Sequence, residues 1–263
     1  MNDMIAVIAH KPCRVAADPV YRPVIVGTGD FTLENALRDN TGDNIAAKNP
    51  QYCELTALYW LWKNVAADYD RIGLCHYRRY FSKTALSNAP RHFVTGADLP
   101  RLTASCDIVL PRPLCWGRHT VAEIYYVTGK GKKKDLDLTG EAIDALFPEY
   151  RAAFDAVLKR HSASYCNMFI TSSERMSAYC AWLFAVLGYV EERIDMTGYS
   201  AQESRVFGYL SEILMNVWVE HNGLRVRYLP TVQTERTPRE QRREALRAAY
   251  PLKPLIGRLI YGK

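Results

Sequence analysis

Short apolar runs separated by longer amphipathic stretches set the pattern of this chain. Residues 4–9 (MIAVIA) are continuously apolar, which predicts a buried strand. His10, Lys11 and Pro12 end it. Residues 21–27 (YRPVIVG) predict a second strand, with Pro23 near its start, where proline is tolerated. From 28 to 49 the chain turns to Gly, Asp, Asn and Thr, the chemistry of loops. A polar loop of that length in a compact domain is often functional. Asn49 and Pro50 then look like an N-cap and first helical position, followed by Leu55, Leu58, Tyr59 and Trp62 at the spacing of one helical face. Residues 71–77 predict the next strand, which delivers His76, Tyr77, Arg78 and Arg79 at its end.

The second half is richer in helix. A short helix over 98–104 precedes a strand over 107–110, closed by Pro111 and Pro113. The lysine-rich run 130–134 (KGKKK) predicts a polar, mobile loop. Residues 141–160 predict a helix interrupted at Pro148. Residues 165–171 predict a strand, 173–194 and 201–221 two helices, and 224–229 a last strand. The long helix over 173–194 carries Met176, Tyr179, Cys180, Leu183, Phe184 and Leu187 on one face. Strands alternating with helices predict an α/β fold with a largely parallel central sheet.

Composition narrows the class. The chain has 263 residues, an ordinary apolar fraction, and no run of about 18 apolar residues that would suit a membrane span. The first residues lack the basic n-region and long apolar core of a signal peptide, so a cytoplasmic location is expected. Seven scattered cysteines without a CxxC pair predict buried free thiols rather than a zinc centre. The net charge of +6 is concentrated in residues 234–263, which hold eight basic residues against three acidic ones. A nucleic-acid binder should instead show a basic face on its folded domain together with a reading motif, and neither is present in the sequence; no nucleic-acid partner is expected.

The residues that could carry chemistry centre on 39–81. No Walker loop, GxGxxG, GxSxG or HExxH occurs. The literal DxD, Asp135 and Asp137, follows a lysine run and opens a helix, where acids serve the helix dipole. A pair holding Mg²⁺ or Mn²⁺ on a diphosphate should stand at a strand end. The cationic group His76, Tyr77, Arg78 and Arg79 occupies such a place instead. Arginines can neutralise a diphosphate directly through paired charge-assisted hydrogen bonds. The expectation is therefore no metal cofactor, with Mn²⁺ or Mg²⁺ as the alternative. His10 and Lys11 end the first strand and could contact phosphate. Asp39 is a loop acid that could pair with the arginines. Asn44, Lys48 and Asn49 supply amide and ammonium donors suited to sugar hydroxyls or phosphate. Asn167 and Met168 sit at a predicted strand end, with Asn167 as the one polar donor, and Arg205 lies near the start of a predicted helix. Three carboxylates, Asp43, Glu203 and Glu212, are candidates for a general base that deprotonates an acceptor hydroxyl.

The run DNTGDNIAAKN, YCELTALYWLWKN and RIGLCHYRRYF resembles a bacterial family long catalogued only as a domain of unknown function. Members of that family are linked to galactofuranosyl transfer in the assembly of O-antigens, capsules and exopolysaccharides. The resemblance continues through DIVLP, KDLDL, PEYRAAF, NMFI, YCAWLF and RVFGYLSEILMNVW, up to about residue 233. It implies a GT-A-like glycosyltransferase, with a Rossmann-type nucleotide-binding sheet and a helix-rich acceptor half. It further implies a UDP-sugar donor, UDP-galactofuranose, transferred with inversion to a β-product. The acceptor would be a growing glycan or a polyprenyl-diphosphate-linked one. Asp39, Asp43, Asn44, Asn49, Glu54, His76, Tyr77, Arg78, Arg79, Asn167, Met168, Arg205 and Glu212 match the family pattern. Glu203 does not, and Ile213 stands where that pattern tends to have an arginine. A galactopyranosyl or glucosyl transferase on the same fold, and a non-catalytic nucleotide- or glycan-binding module, stay open as alternatives.

Residues 1–233 are thus expected to form one domain and 234–263 a basic tail. Residues 239–250 suit a helix, and Leu252, Leu255, Ile256, Leu259, Ile260 and Tyr261 add an apolar patch. Basic-plus-apolar composition suits peripheral docking on an anionic membrane surface.

Overall fold

A computed structural model describes residues 2–248. The chain begins with strands β1 (Asp3–Ala9), β2 (Tyr21–Ile25) and β3 (Leu37–Arg38). Helices α1 (Asn49–Tyr52) and α2 (Leu55–Asn64) lead to β4 (Arg71–His76) and β5 (Arg79–Phe81). Then come α3 (Leu99–Thr103), β6 (Ile108–Pro111), β7 (Leu114–Cys115), α4 (Val121–Val127), α5 (Lys133–Leu146) and α6 (Arg151–Lys159). The remainder is β8 (Ser162–Ala163), β9 (Phe169–Ser172), α7 (Ser173–Glu191), α8 (Val206–His221), β10 (Val226–Leu229), β11 (Thr231–Gln233) and α9 (Pro238–Ala248).

The main sheet runs β10-β6-β9-β4-β1-β2-β3. β1 pairs in parallel with both β2 and β4, and β10 with β6, while β9 lies antiparallel between β4 and β6. This is the α/β, largely parallel sheet that the sequence predicts. β5 folds back on β4 and carries β11 along its far edge. β7 and β8 form a separate two-stranded ribbon.

β1 shows why its sequence reads as unbroken hydrophobicity. Met4, Ala6 and Ile8 enter the core beneath α2, α7 and α8, whereas Ile5, Val7 and Ala9 enter a second core on the other face with Tyr80, Phe81 and Phe93. A central strand covered on both faces has no polar side to show. Gly73 in β4 is required by the same crowding: a Cβ there would stand 3.0 Å from Ile170 and 3.1 Å from Ile5. Register is fixed at the strand start, where Arg71 pairs with Asp3 and its guanidinium donates to both carboxylate oxygens at 2.8 and 2.7 Å.

Several boundaries differ from the sequence reading, each for a local reason. Asn49 does not cap the helix. It is the first residue of α1, and its amide donates to the Cys53 carbonyl at 2.8 Å and to Thr56 Oγ1 at 3.0 Å. The helix breaks at Cys53, whose φ is +53°. In α2 the deepest face is Leu55, Leu58 and Leu61, while Tyr59 and Trp62 are half-buried against Phe184 of α7. Helix α5 starts at Lys133, so the predicted lysine loop is half helix, and Pro148 ends the helical run as expected. β9 starts only at Phe169, because Cys166 and Asn167 have φ of +79° and +48°. The predicted helix over 201–221 begins with a 3-10 turn, and its α-helical part starts at Val206.

Among the described residues no helix is long and apolar enough to cross a membrane. The predicted apolar patch from Leu252 to Tyr261 lies outside them. The first residues of the assigned tail pack on the body. Gln241 is buried, its amide donates to the Ala85 and Thr231 carbonyls, and its oxygen accepts from the Gln233 N–H.

Candidate active site

β1, β2 and β4 are parallel and end together, so the chain leaves all three on one edge of the sheet. Such an edge is where open α/β sheets bind ligands. Here it opens into a cleft of about 600 Å³. Ile8 and His10 come from the end of β1, Val26 from the end of β2, and His76 to Arg79 from the β4–β5 turn. Asn49, Cys53 and Glu54 come from the broken α1–α2 helix, and Arg205, Gly208, Tyr209 and Glu212 from the start of α8. β9 runs antiparallel, so Cys166, just before it, reaches the same edge.

Backbone strain gathers at this edge. Of the four described non-glycine residues with positive φ, Cys53, Cys166 and Asn167 lie at or beside the cleft, and Asn35 is elsewhere. Such conformations cost free energy and persist where surrounding contacts over-determine them. Those contacts are present. The Cys166 N–H donates to Glu212 Oε1 at 2.8 Å, and the Cys166 carbonyl accepts from His76 Nε2 at 2.6 Å. Because a carbonyl only accepts, Nε2 carries the proton and Nδ1 is left as an acceptor. The Asn167 amide donates to Glu54 Oε1 at 2.7 Å and to the Gly208 carbonyl at 3.0 Å, and its oxygen accepts from Ser211 at 3.0 Å. A Cβ on Gly208 would stand 3.2 Å from Cys53 Sγ, so a glycine lets α8 approach the broken helix.

The charges of the cleft are uneven. Arg79 and Arg205 pair with no carboxylate among the described residues; Arg205 instead donates to Cys53 Sγ at 3.0 Å. Arg78 reaches Glu235 at 3.3 Å, yet its buried Nε has no partner. Lys11 lies 3.6 Å from the same Glu235 and 5.1 Å above the Tyr77 ring. His10 sets its ring edge-on to Tyr77 at 5.0 Å. Partial burial, then the charges of Lys11, Arg78 and Arg205, hold His10 below its ordinary pKa. Burial also holds His76 down, opposed by Glu54 and reinforced by Arg79. Both imidazoles are therefore neutral at pH 7. The cleft thiols are subdued: burial raises Cys53 and pushes Cys166 up to about 11.

The sequence candidates separate cleanly. His10, Asn49, His76, Tyr77, Arg78, Arg79, Arg205 and Glu212 line the cleft. Lys11 and Asn167 stand directly behind it through the contacts above. Asp39, Asp43, Asn44, Lys48, Met168 and Glu203 do not line it. Asp39 is fully buried, accepting from the Gly27 N–H at 3.0 Å and the Thr56 hydroxyl at 2.6 Å; burial raises its pKa. It ties the β2 end to α2 and does not pair with the arginines. Asp43 accepts from the Tyr59 hydroxyl, and Asn44 bonds its own loop. Lys48 pairs with Glu191 at 2.6 Å. Met168 is core. Glu203 bonds Ser200, whose N–H and hydroxyl hold its carboxyl below the usual range.

Three residues of the site were not among the sequence candidates for a role in it, although Glu54 is part of the family pattern. Glu54 reaches the cleft with its second oxygen free of hydrogen bonds among the described residues. Lys130, from the predicted mobile loop, is held 2.7 Å from Glu212. Glu235, from the assigned tail, faces Arg78 and Lys11. The DxD pair is divided. Asp135 is fully buried, accepting from Tyr125 at 2.9 Å, from the Lys132 N–H at 2.7 Å and from Tyr199, while Asp137 pairs with Lys133 on the surface. These two carboxylates do not converge on a shared ion.

The family model of a domain of unknown function, DUF4422, matches residues 4–223. No curated protein matches the chain. Among solved structures, the apo structure of WbbM, a bifunctional glycosyltransferase, is similar at 28% sequence identity with a TM-score of 0.81. The match covers 90% of this chain and 46% of that one, so the chain spans about half the length of that protein. The fold is therefore the GT-A-like one that the sequence resemblance implies.

Proposed function

We propose that this chain, which belongs to the DUF4422 family, is a glycosyltransferase that uses a nucleoside-diphosphate sugar. The observation that carries the reading is the group of His10, His76, Arg78 and Arg79 at the ends of parallel strands with Arg205 facing them from the start of α8, two of these guanidiniums, Arg79 and Arg205, lacking any acid partner among the described residues. Unpaired, partly desolvated guanidiniums attract an anion with several acceptor oxygens, and a diphosphate offers them. The similarity to a bifunctional glycosyltransferase supports the same class.

In this reading Arg78, Arg79 and Arg205 bind the diphosphate, and His10 and His76 donate or accept as neutral imidazoles. An acceptor hydroxyl attacks the anomeric carbon. The new C–O bond forms as the bond to the diphosphate oxygen breaks, and the nucleoside diphosphate leaves with both bonding electrons. Its added negative charge falls on the arginines, which is where electrostatic stabilisation counts. Glu54 accepts the proton of the hydroxyl, oriented by Asn167 through its other oxygen. Glu212, the one sequence-predicted base that lines the cleft, has both oxygens engaged, by Cys166 and Lys130, and serves better as a binding group.

The donor is proposed to be UDP-galactofuranose, giving an inverted β-linkage to a cell-surface polysaccharide precursor or a polyprenyl-diphosphate-linked glycan at the inner membrane face. Charge neutralisation by arginine is proposed to serve without a divalent metal. A panel of UDP-sugars with such an acceptor, with and without EDTA, tests all of this. Turnover of UDP-galactofuranose in EDTA is expected. Turnover of a pyranose donor alone would replace the donor, and loss in EDTA restored by Mn²⁺ would overturn the metal-free reading.

A further inference from the structure

The cleft has a second end that the diphosphate reading leaves unused. Lys130 Nζ stands 2.7 Å from Glu212 Oε2, 4.8 Å from the Tyr165 ring centre and 5.2 Å from the Tyr209 ring centre. A small recess beside the main cleft is lined by the same Lys130, Tyr165, Tyr209 and Glu212, together with apolar residues of α4 and none of the arginines. Arg205, 5.5 Å from the Tyr209 ring centre, marks the border between the two ends. The β7–β8 ribbon, whose second strand leads into Tyr165, carries Trp116 to the cleft wall immediately after Cys115.

Trp116 is 41% exposed, and no other described aromatic ring packs against it. A large apolar side chain left open beside a cleft is an informative exception to burial. An indole joins a broad apolar face to a polar tip. A hexose ring matches this: one face of C–H groups and a rim of hydroxyls. The same cleft is also lined by one carboxylate and one ammonium, Glu212 and Lys130, that already neutralise each other at 2.7 Å. That pair offers acceptors and donors to hydroxyls with little net charge, which favours a neutral sugar over a second anion.

We propose that Trp116, Lys130 and Glu212 form the acceptor-sugar subsite, in which a neutral hexose ring lies on the indole and its hydroxyls bond Glu212 and Lys130. The proposal rests on the glycosyltransferase reading in placing an acceptor in this cleft at all, and it assigns that acceptor's terminal residue to the cleft wall that carries Trp116, Lys130 and Glu212.

The test uses the full chain and two separate ligands. UDP binding is measured by calorimetry. Binding of methyl β-D-galactopyranoside, methyl α-D-glucopyranoside and methyl α-D-mannopyranoside is measured by tryptophan fluorescence and saturation-transfer NMR, with and without UDP. At least one hexoside is expected to bind saturably. Trp116→Ala should weaken it at least tenfold and Trp116→Phe about threefold, while Lys130→Met weakens it without removing ring contacts at the indole. The Kd for UDP should stay within twofold in Trp116→Phe. Failure of all three hexosides to bind the wild type, with or without UDP, would overturn the subsite, as would unchanged hexoside affinity in Trp116→Ala. Trp116-dependent hexoside binding in a protein that binds no UDP would sink the donor reading and leave the sugar subsite standing.

Discussion

Glu54 and Asn167 lie 113 residues apart in sequence and meet at 2.7 Å, the amide of one donating to a single carboxylate oxygen of the other. Both positions depend on unusual backbone. Glu54 follows Cys53 at φ +53°, and Asn167 itself has φ +48°. The contact therefore joins the broken helix to the start of β9 and fixes which way the second Glu54 oxygen faces.

Glu54→Gln should retain the fold and lose transfer by about 10²–10⁴-fold, the range for a general base. Glu212→Gln should act chiefly on acceptor KM. Asn167→Ala should lower stability by about 1–3 kcal/mol, because it takes the amide partner from the Glu54 carboxylate and one bond each from the Gly208 carbonyl and the Ser211 hydroxyl, which still bond each other. Steady-state kinetics and urea unfolding of the three variants separate these outcomes. A Glu54→Gln enzyme with wild-type kcat would remove Glu54 from the chemistry.

Arg79 is the cation to test for the diphosphate, since no acid among the described residues competes for it. Arg79→Ala should weaken UDP binding by about 10–100-fold, the loss of one or two hydrogen bonds between charged groups. Arg79→Lys should recover part of this, as it keeps the charge without the planar fork. Calorimetry with UDP and with uridine checks it: uridine affinity should not change.

Much of this arrangement could be read from the sequence. β1 and β4 announce themselves because both faces are buried and their apolar runs are unbroken. The clustering of His76, Arg78 and Arg79 at a strand end follows directly. The rest depends on contacts that local pattern does not encode. Cys53, Cys166 and Asn167 adopt backbone conformations usually left to glycine, so the helix break and the late start of β9 carry no composition signal. Local pattern makes Glu54 one more polar residue of an amphipathic helix; the family resemblance includes it without a role, and only the break shows that it faces the cleft. Asp43 and Glu203 have the right chemistry, but nearby Tyr59 and Ser200 take up their carboxylates. Lys130 and Glu235 sit in segments whose charge suggests solvent, and only tertiary packing brings them to the site.

His10 links binding to protons. In the free protein its partly buried ring faces Lys11, Arg78, Arg205 and His76, and its pKa is lowered. A bound diphosphate would offset those cations and raise it again. A group whose pKa rises on binding takes up a proton, so UDP affinity should increase as pH falls below about 6.5 toward the free-protein value. Calorimetry in buffers of different ionisation enthalpy should show proton uptake at pH 6, and His10→Gln should reduce it. Equal uptake in the variant would transfer the role to His76 or to the phosphate itself.

Asp107 provides a stability test away from the cleft. Just before β6, its carboxylate accepts from Arg225 Nε at 2.9 Å and Nη2 at 3.1 Å, from the Arg225 N–H at 3.0 Å, and from Arg175 at 2.8 Å. The Arg225 side chain, then its backbone N–H, with Arg175 adding charge, pull the carboxyl from 3.8 to about 2. A carboxyl depressed in the folded state contributes stability above its unfolded pKa and loses that contribution as pH falls through the folded one. The window is thus from about pH 4 down to about pH 2. Both arginines are substantially exposed, so the contribution is that of a solvent-screened pair, about 1 kcal/mol. Asp107→Asn should be less stable than wild type by that amount at pH 7. In urea unfolding the gap should narrow below pH 4 and close near pH 2, and a gap that stays constant across that range would show that Asp107 acts through packing or neutral hydrogen bonds rather than charge.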